Sequence, residues 1–323
     1  MSAQSRLGNI LLYGVGQLGS RYLQGLASSK IPLNIYIYDV SQHAINLAVI
    51  RWHEVKSNQS LHTLVVLQHL DQLPGSIDLA IIATTADARL TAVQNIVERT
   101  SVRYWILEKV LAQSIEAIAS IEKLLSNSEG AWVNTPRRLF AWYSKIKEAS
   151  NFAGPIELYL SGDSWGLACN SIHYLDLLAW WSGEKLVSVQ VSRSNYQWVP
   201  SKRPNNWELE GELMATFSSG STAILISRPS MSNDPIKIFD STTIVSIDEL
   251  SGYAEISNAS PIYGQIMMQS EITANLVESI LNSGKCDLPT FEESSQLHQV
   301  FLSEMLDCWQ SSGRFYDLSV PIT

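Results

Sequence analysis

Asn9-Ile10-Leu11-Leu12-Tyr13-Gly14-Val15-Gly16-Gln17-Leu18-Gly19 is the stretch that decides the fold of the N-terminal half. Asn9–Tyr13 is an apolar block of strand length, and Gly14, Gly16 and Gly19 follow it in G-x-G-x-x-G spacing. Leu18, Tyr22 and Leu26 then recur at helical intervals, so the glycines mark a turn from strand to helix. A second apolar strand, Ile35–Tyr38, ends at Asp39, 20 residues after Gly19. Three glycines alone are weak evidence. Strand, glycine turn, helix and acid in this order form the pattern of a dinucleotide-binding βαβ unit.

Each residue of the pattern has a physical task. Gly14 allows the tight turn, Gly16 lets the backbone approach a pyrophosphate, and Gly19 permits close packing of helix on strand. Phosphates would then sit on the helix N-terminus, with Gln17 and Leu18 completing the candidate cofactor loop. Asp39 would accept hydrogen bonds from the adenosine ribose hydroxyls and repel a 2′-phosphate. Val40, Ser41 and Gln42 bring no arginine to offset that repulsion, which favours NAD over NADP. The plainer alternative is a glycine-rich turn that holds no cofactor, with Asp39 as a simple loop carboxylate.

Outward from this motif, apolar blocks at Thr63–Leu67, Leu79–Ala83, Tyr104–Leu107 and Ala131–Val133 alternate with helical patterns. They read as strands buried on both faces, and the alternation predicts an α/β domain over residues 1–135: a Rossmann, doubly wound parallel sheet. After Asn134 the pattern changes. A helix is expected over Arg138–Ser150, a strand over Pro155–Leu160 and a helix over Ser171–Trp181. Val187, Val189 and Val191 alternate with polar neighbours, as do Leu209, Leu213, Ala215 and Phe217. Ser218-Ser219-Gly220 then turns the chain into a hairpin partner at Thr222–Ser227. Further strands are expected at Ile236–Phe239, Thr243–Ile247 and Tyr253–Ile256, with helices at Gln265–Ser283 and Phe291–Trp309, the last opened by a Thr290/Glu293 capping box. Residues 136–323 thus read as an α+β domain with an open, mainly antiparallel sheet. Lys202–Asn206, near Pro200 and Pro204, is the expected exposed loop.

The net charge of −9 argues against a nucleic-acid or membrane-surface partner, both of which want a basic footprint. Met1–Asn9 carries no apolar run of signal-peptide type, and no stretch approaches the ~20 apolar residues of a membrane span. The three cysteines, Cys169, Cys286 and Cys308, and the six histidines show no metal-ligand spacing, so no metal is expected. A cytoplasmic location fits this usage.

Several motifs in order resemble the glucose–fructose oxidoreductase / inositol dehydrogenase / MocA family, across essentially the whole chain. Besides the glycine loop, Ala83-Thr84-Thr85-Ala86-Asp87 is similar to the family's loop over the cofactor. Leu107-Glu108-Lys109-Val110 looks like its Glu-Lys-Pro motif. Asn134 followed by Arg137-Arg138 resembles its hinge after the sixth strand, and Asn170-Ser171-Ile172-His173-Tyr174-Leu175-Asp176 its catalytic-histidine helix. The resemblance implies NAD(P)-dependent oxidation or reduction at a hydroxyl or keto carbon of a sugar, cyclitol or nucleotide-linked sugar, with surface-glycan synthesis one setting for it. It also implies cofactor contacts from Thr84, Thr85, Glu108 and Lys109. Lys109 would hydrogen-bond the reacting oxygen, and His173 would exchange its proton. Asn134, Arg137, Trp165 and Asn170 become candidate substrate residues, and a homodimer or homotetramer formed through the second domain is expected.

The chemistry suits those residue types. Removing a hydroxyl proton as the C–H bond breaks suits an imidazole, whose ordinary pKa is ~6.5, and a lysine cation stabilises a developing alkoxide. Read without the resemblance, His173 is an ordinary core histidine, Lys109 an ordinary strand-end lysine, Trp165 core packing and Arg137 a solvated helix start. The chain departs from the family twice. Val110 stands where a proline usually follows the lysine. Cys169 stands where many members have an aspartate four residues before the histidine. Lowered histidine basicity, a rearranged proton relay and lost catalysis all stay open. A regulator that binds dinucleotide and sugar without turnover, like the family's yeast galactose-pathway repressor, is the alternative. Elimination or epimerisation through transient oxidation is a third reading.

Overall fold

Apolar side chains at consecutive positions are compatible with a strand only if both its faces are covered, and β1 (Gly8–Tyr13) shows this: Ile10, Leu11 and Leu12 are wholly buried. A computed structural model describes residues 8–55, 58–257, 259–314 and 316–323. The leader-free reading of Met1–Asn9 lies, over residues 1–7, outside them. After β1 come α1 (Gln17–Leu26), β2 (Leu33–Tyr38), α2 (Gln42–Glu54), β3 (Thr63–Val66), β4 (Ser76–Ile82), α3 (Ala86–Val97), β5 (Ser101–Glu108), α4 (Ile115–Leu125) and β6 (Gly130–Asn134). The six strands are all parallel, in the order β3-β2-β1-β4-β5-β6. This is the doubly wound Rossmann order, which reverses between β1 and β4. One expectation fails here. β3 is not buried on both faces, because it lies at the sheet edge with a single neighbour, and its four residues are half-buried or exposed.

The second sheet follows α5 (Ala141–Ala149). Its elements are β7 (Glu157–Asp163), α6 (Leu167–Ser182), β8 (Leu186–Val191), β9 (Gln197–Pro200), β10 (Trp207–Phe217), β11 (Thr222–Arg228), β12 (Ile236–Phe239), β13 (Ile244–Asp248), β14 (Tyr253–Ile256) and β15 (Ile262–Tyr263). The strands run β15-β14-β13-β12-β7-β11-β10-β8, with β9 on the other half of β10, and only β7–β11 is a parallel pair. The alternation along β10 holds: Leu209, Leu213, Ala215 and Phe217 are buried, and α6 packs across β10 and β11. The helix expected over Arg138–Ser150 is instead a 3-10 turn, Pro136–Leu139, followed by α5, because Phe140 takes an extended ψ of 112° between them. α6 begins four residues earlier than expected, directly after Gly166 at φ +86°. β9 and β15 were not expected: β15 has only two residues, and β9 ends in Pro200, which disfavours a strand reading.

α7 (Gln269–Ser283) and α8 (Phe291–Ser311) end the chain. Two compact units result, with a division more tangled than a single boundary at residues 135/136. Met1–Leu111, Ala117–Asn134 and Met267–Phe291 form the first, and Ala112–Glu116, Thr135–Ile266 and Glu292–Thr323 the second. α7 therefore returns to the Rossmann unit, where it packs on α1. Gly25 allows the approach, since a Cβ there would lie 2.5 Å from Thr273 Cβ.

Candidate functional site

Within the first unit, the carboxyl ends of β1, β2 and β4 meet. Gly14 N donates to Tyr38 O at 2.8 Å, and Ala83 N donates to Tyr13 O at 2.8 Å. Gly14 turns the chain at φ +88°, and a Cβ on it would lie 2.9 Å from Ala83 C. On Gly19 a Cβ would fall 1.9 Å from Gly14 O, so α1 touches the end of β1 only because that position is glycine. Gly16 is different: a Cβ there would meet nothing within 4 Å. Gly16 caps α1 without a side chain, and the first turn of α1 has no acidic residue. That open cradle over a positive helix end is what an anionic group requires.

Asp39 stands beside the cradle. Its Oδ2 accepts from Val15 N and its Oδ1 from Ser41 N, both at 2.8 Å, so the acid ties the end of β2 to the glycine loop. Leu18 is half-buried, and the Gln17 side chain accepts from Arg51 at 3.1 Å. Gln17 is thus held by α2 at its side chain, leaving its backbone as the part suited to phosphate. Thr84 and Thr85 end the β4 loop, half-buried, with Thr85 capping α3. Thr84 Oγ1 is buried and meets no hydrogen-bond partner among the described residues.

Sequence reasoning missed the group that holds this edge together. Arg89, on α3, is 1% exposed. It donates to the carbonyl oxygens of Thr84, Val110 and Leu111, clasping the β4 loop against the loop after β5. Lys109 lies between them, half-buried, and its peptide bond to Val110 is cis. An isolated arginine on an amphipathic helix gives no signal that it turns inward.

Glu108 and Asn134, expected as cofactor and substrate contacts, are linked to each other in a buried network. Glu108 Oε1 accepts from Tyr22 Oη at 2.6 Å and Asn134 Nδ2 at 2.7 Å, and Asn134 Nδ2 also donates to Gln269 on α7 at 2.9 Å. Burial pushes the Glu108 carboxyl above the ordinary glutamate value, against the opposing effect of these donors and of the positive charges of Arg89 and Lys109. A raised folded-state value means that the stability Glu108 contributes is full below ~4.3 and falls as pH rises through the raised value. The unfolding free energy of wild type should therefore decline relative to Glu108→Gln over that window, measured by urea unfolding at stepped pH. A parallel pH dependence in the two proteins would show that Glu108 is not the group responsible.

In the second unit, His173, Asn170 and Trp165 belong to α6 and its entry. His173 is half-buried, and Asn170 Nδ2 donates to Trp165 O at 2.8 Å. Trp165 Nε1 donates to Ile226 O at 2.7 Å, and its ring meets Tyr174 edge-on at 5.4 Å. Both rings line a cavity of about 320 Å³ with Ser161, Asp234, Glu249 and Leu250. Arg137 is bound bidentately to Glu249, at 2.8 Å from both Nε and Nη2, and stacks on Tyr174. Its guanidinium is thus already matched to a carboxylate, which does not suit it to an anionic substrate group. A larger cavity of about 520 Å³ opens at the far end of α6 around the Arg138–Asp176 ion pair and Trp180, and holds none of the residues read from sequence as site residues.

Burial pushes the thiols of Cys286 and Cys308 up to about 12, too high for a nucleophile at neutral pH. No helix among the described residues is long and apolar enough to cross a membrane, and no group of three or more His, Cys, Asp or Glu among them is placed to hold a metal.

No protein-family model and no curated protein matches the sequence. Solved structures do match. A putative NADPH-dependent oxidoreductase from Desulfitobacterium hafniense superposes with a TM-score of 0.70 over 96% of this chain and 97% of that one, at 12% identity. UDP-N-acetylglucosamine 3-dehydrogenase from Acidithiobacillus ferrooxidans gives 0.67 over 93% and 96%, at 16% identity. Scyllo-inositol dehydrogenase from Lactobacillus casei, with NAD(H) and scyllo-inositol bound, gives 0.65 over 95% and 98%, also at 16%. At such identities the likeness is one of fold: a Rossmann unit and a mainly antiparallel sheet unit, each of a kind found in glucose–fructose oxidoreductase / inositol dehydrogenase / MocA-type oxidoreductases.

Proposed function

We propose that this chain is a nicotinamide-dinucleotide-dependent oxidoreductase acting at a hydroxyl or keto carbon of a sugar, cyclitol or nucleotide-linked sugar, with NAD favoured over NADP. The observation that carries the reading is the empty space over Gly16 at an uncapped, acid-free helix end, with Asp39 held beside it. The residues present fit a dinucleotide. Gly16 leaves room for a pyrophosphate, the first N–H groups of α1 would receive it, Asp39 would take the ribose hydroxyls, and Thr84 Oγ1 is a buried hydroxyl in need of a partner. A bound nicotinamide would supply the hydride donor or acceptor.

Lys109 and His173 take the remaining tasks. The lysine cation stabilises negative charge on the reacting oxygen, and the imidazole exchanges the hydroxyl proton. Fold neighbours that act on UDP-N-acetylglucosamine or bind scyllo-inositol support a polyhydroxylated substrate. A cytoplasmic homodimer or homotetramer, with the first unit holding cofactor and the second holding substrate, completes the proposal, and surface-glycan synthesis is one pathway consistent with it. The buried, uncharged Cys169 supports the second reading, a dinucleotide- and sugar-binding regulator without turnover.

The test is a tryptophan-fluorescence titration with NADH and NADPH on wild type and Asp39→Asn. The asparagine keeps an oxygen for Val15 N or Ser41 N and removes the charge. NADH should bind at micromolar concentration and NADPH at least ~10-fold more weakly, a gap of about 1.4 kcal/mol that Asp39→Asn narrows. Absence of binding by either nucleotide would refute the reading. Turnover in a screen of polyols and nucleotide sugars, followed by nicotinamide absorbance, separates enzyme from regulator.

A further inference from the structure

Gly166 opens α6 with no side chain to cap it, and no residue of the first turn is acidic. A carboxylate from another element fills that place. Glu208, near the start of β10, accepts through Oε2 from Ala168 N at 3.1 Å and Cys169 N at 3.4 Å. Its other oxygen borders Gly166: a Cβ there would stand 3.2 Å from Glu208 Oε1 and 3.0 Å from Asn170 Nδ2. The carboxylate therefore sits among Gly166, Cys169 and Asn170. Residues 169 and 170 precede His173 by four and three positions and share its side of the helix.

We propose that Glu208 is a positioning residue for His173, supplying from β10 the negative charge that the first turn of α6 lacks. The proposal rests on the reading of His173 as the proton-exchanging group. When the substrate O–H bond breaks and the proton passes to the imidazole, the ring becomes a cation. A carboxylate held at the N–H groups of residues 168 and 169, about one helical turn before His173, would stabilise that cation by its negative charge.

The other charged groups on elements packed against α6 have their own partners. Arg137 and Arg138 of the 3-10 turn are bound to Glu249 and Asp176, and Glu293 of α8 stands 3.9 Å from Arg138. Tyr174 on the helix bonds Arg137, and Lys147 of α5 donates to Trp180 O at the far end. On β10, Glu210 accepts from Ser164 Oγ at 3.3 Å, and Glu212 pairs with Arg228 of β11 at 3.7 Å.

Glu208 also caps the helix, so the test must separate charge from capping. Glu208→Gln does this, because an amide oxygen still accepts from the helix N–H groups. The six histidine rings are titrated by NMR in the full-length protein, with the His173 signal identified by its loss in His173→Gln. In Glu208→Gln the His173 midpoint should fall by about 0.5–1 pH unit while the other five stay in place. If that variant does not fold, Gly166→Asn supplies a cap at the N-cap position itself, since asparagine tolerates the positive φ there. The His173 midpoint in Gly166→Asn with Glu208→Gln should then lie about 0.5–1 unit below that in Gly166→Asn alone, since only the charge differs. An unmoved midpoint, or a shift shared by all six histidines, would overturn the proposal and leave Glu208 a cap alone. Because the readout is a ring titration, its failure with intact NADH binding refutes only the role of Glu208. Failure of NADH binding with the coupling intact refutes only the oxidoreductase reading.

Discussion

Gly19→Ala is expected to unfold the Rossmann unit, whereas Gly16→Ala, three residues earlier, should fold normally and lose the dinucleotide. At Gly19 the added Cβ would lie 1.9 Å from Gly14 O and 2.8 Å from Gly14 C. Both are backbone atoms, and Gly14 is itself fixed at φ +88° by its bond to Tyr38 O. No side chain can swing away, so α1 must lift off β1, at a cost of about 3 kcal/mol or more. At Gly16, φ is −62° and the surrounding space is empty. Gly16 is the N-cap of α1, where alanine is less favourable than glycine, so the substitution should cost about 1 kcal/mol, well short of unfolding. The added methyl would stand where a pyrophosphate must approach the backbone, weakening NADH binding by at least ~10-fold. Thermal unfolding followed by circular dichroism and NADH titration separate the two losses. Wild-type affinity in Gly16→Ala would show that the open space is not a phosphate cradle.

The parts of this design legible in sequence are those written in local order. A strand buried on both faces needs consecutive apolar residues, and β1, β4, β5 and β6 show them. The glycine turn needs three glycines at fixed spacing, and the end of β2 needs an acid at the right distance. Properties fixed by distant neighbours left no such mark. β3 looks like its apolar companions but becomes an edge, because being an edge is a property of the sheet. The helical period of α7 shows that one face is buried, but not that α1, far earlier in the chain, is what buries it.

The candidate site divides along the same line. Gly14, Gly16, Gly19 and Asp39 were legible because each acts through its own backbone or its own loop. Glu108 and Asn134 are candidate ligand contacts through the family resemblance of their motifs alone. Three-dimensional packing joins them to Tyr22 and Gln269, partners that nothing in their local sequence announces. Arg137 shows the same effect in the second unit: nothing in its local sequence announces that Glu249, more than a hundred residues later, is bound to it. Arg89 and Glu208, the two groups that act on neighbouring loops, sit at ordinary polar positions of a helix and a strand.

Arg89→Met should destabilise the Rossmann unit by about 3–5 kcal/mol, the second large effect expected. Methionine retains much of the packing volume and removes every donor. The carbonyl oxygens of Thr84, Val110 and Leu111 each lose a charged hydrogen bond in a buried setting, where one unmet acceptor costs about 1–3 kcal/mol. Glu108 simultaneously loses a positive charge that helps it ionise despite burial. Replacing Glu108 as well should recover part of the loss, so Arg89→Met with Glu108→Gln should be less destabilised than the sum of the single variants, by about 0.5–3 kcal/mol. Additive losses in urea unfolding would show that the two groups do not support one another. Arg89 holds the Thr84 loop and the carbonyls just after Lys109 in one grip, so the folded fraction of Arg89→Met should also bind NADH more weakly at low temperature. If affinity survives while stability falls, Arg89 serves the packing of α3 and not the placement of the cofactor loops.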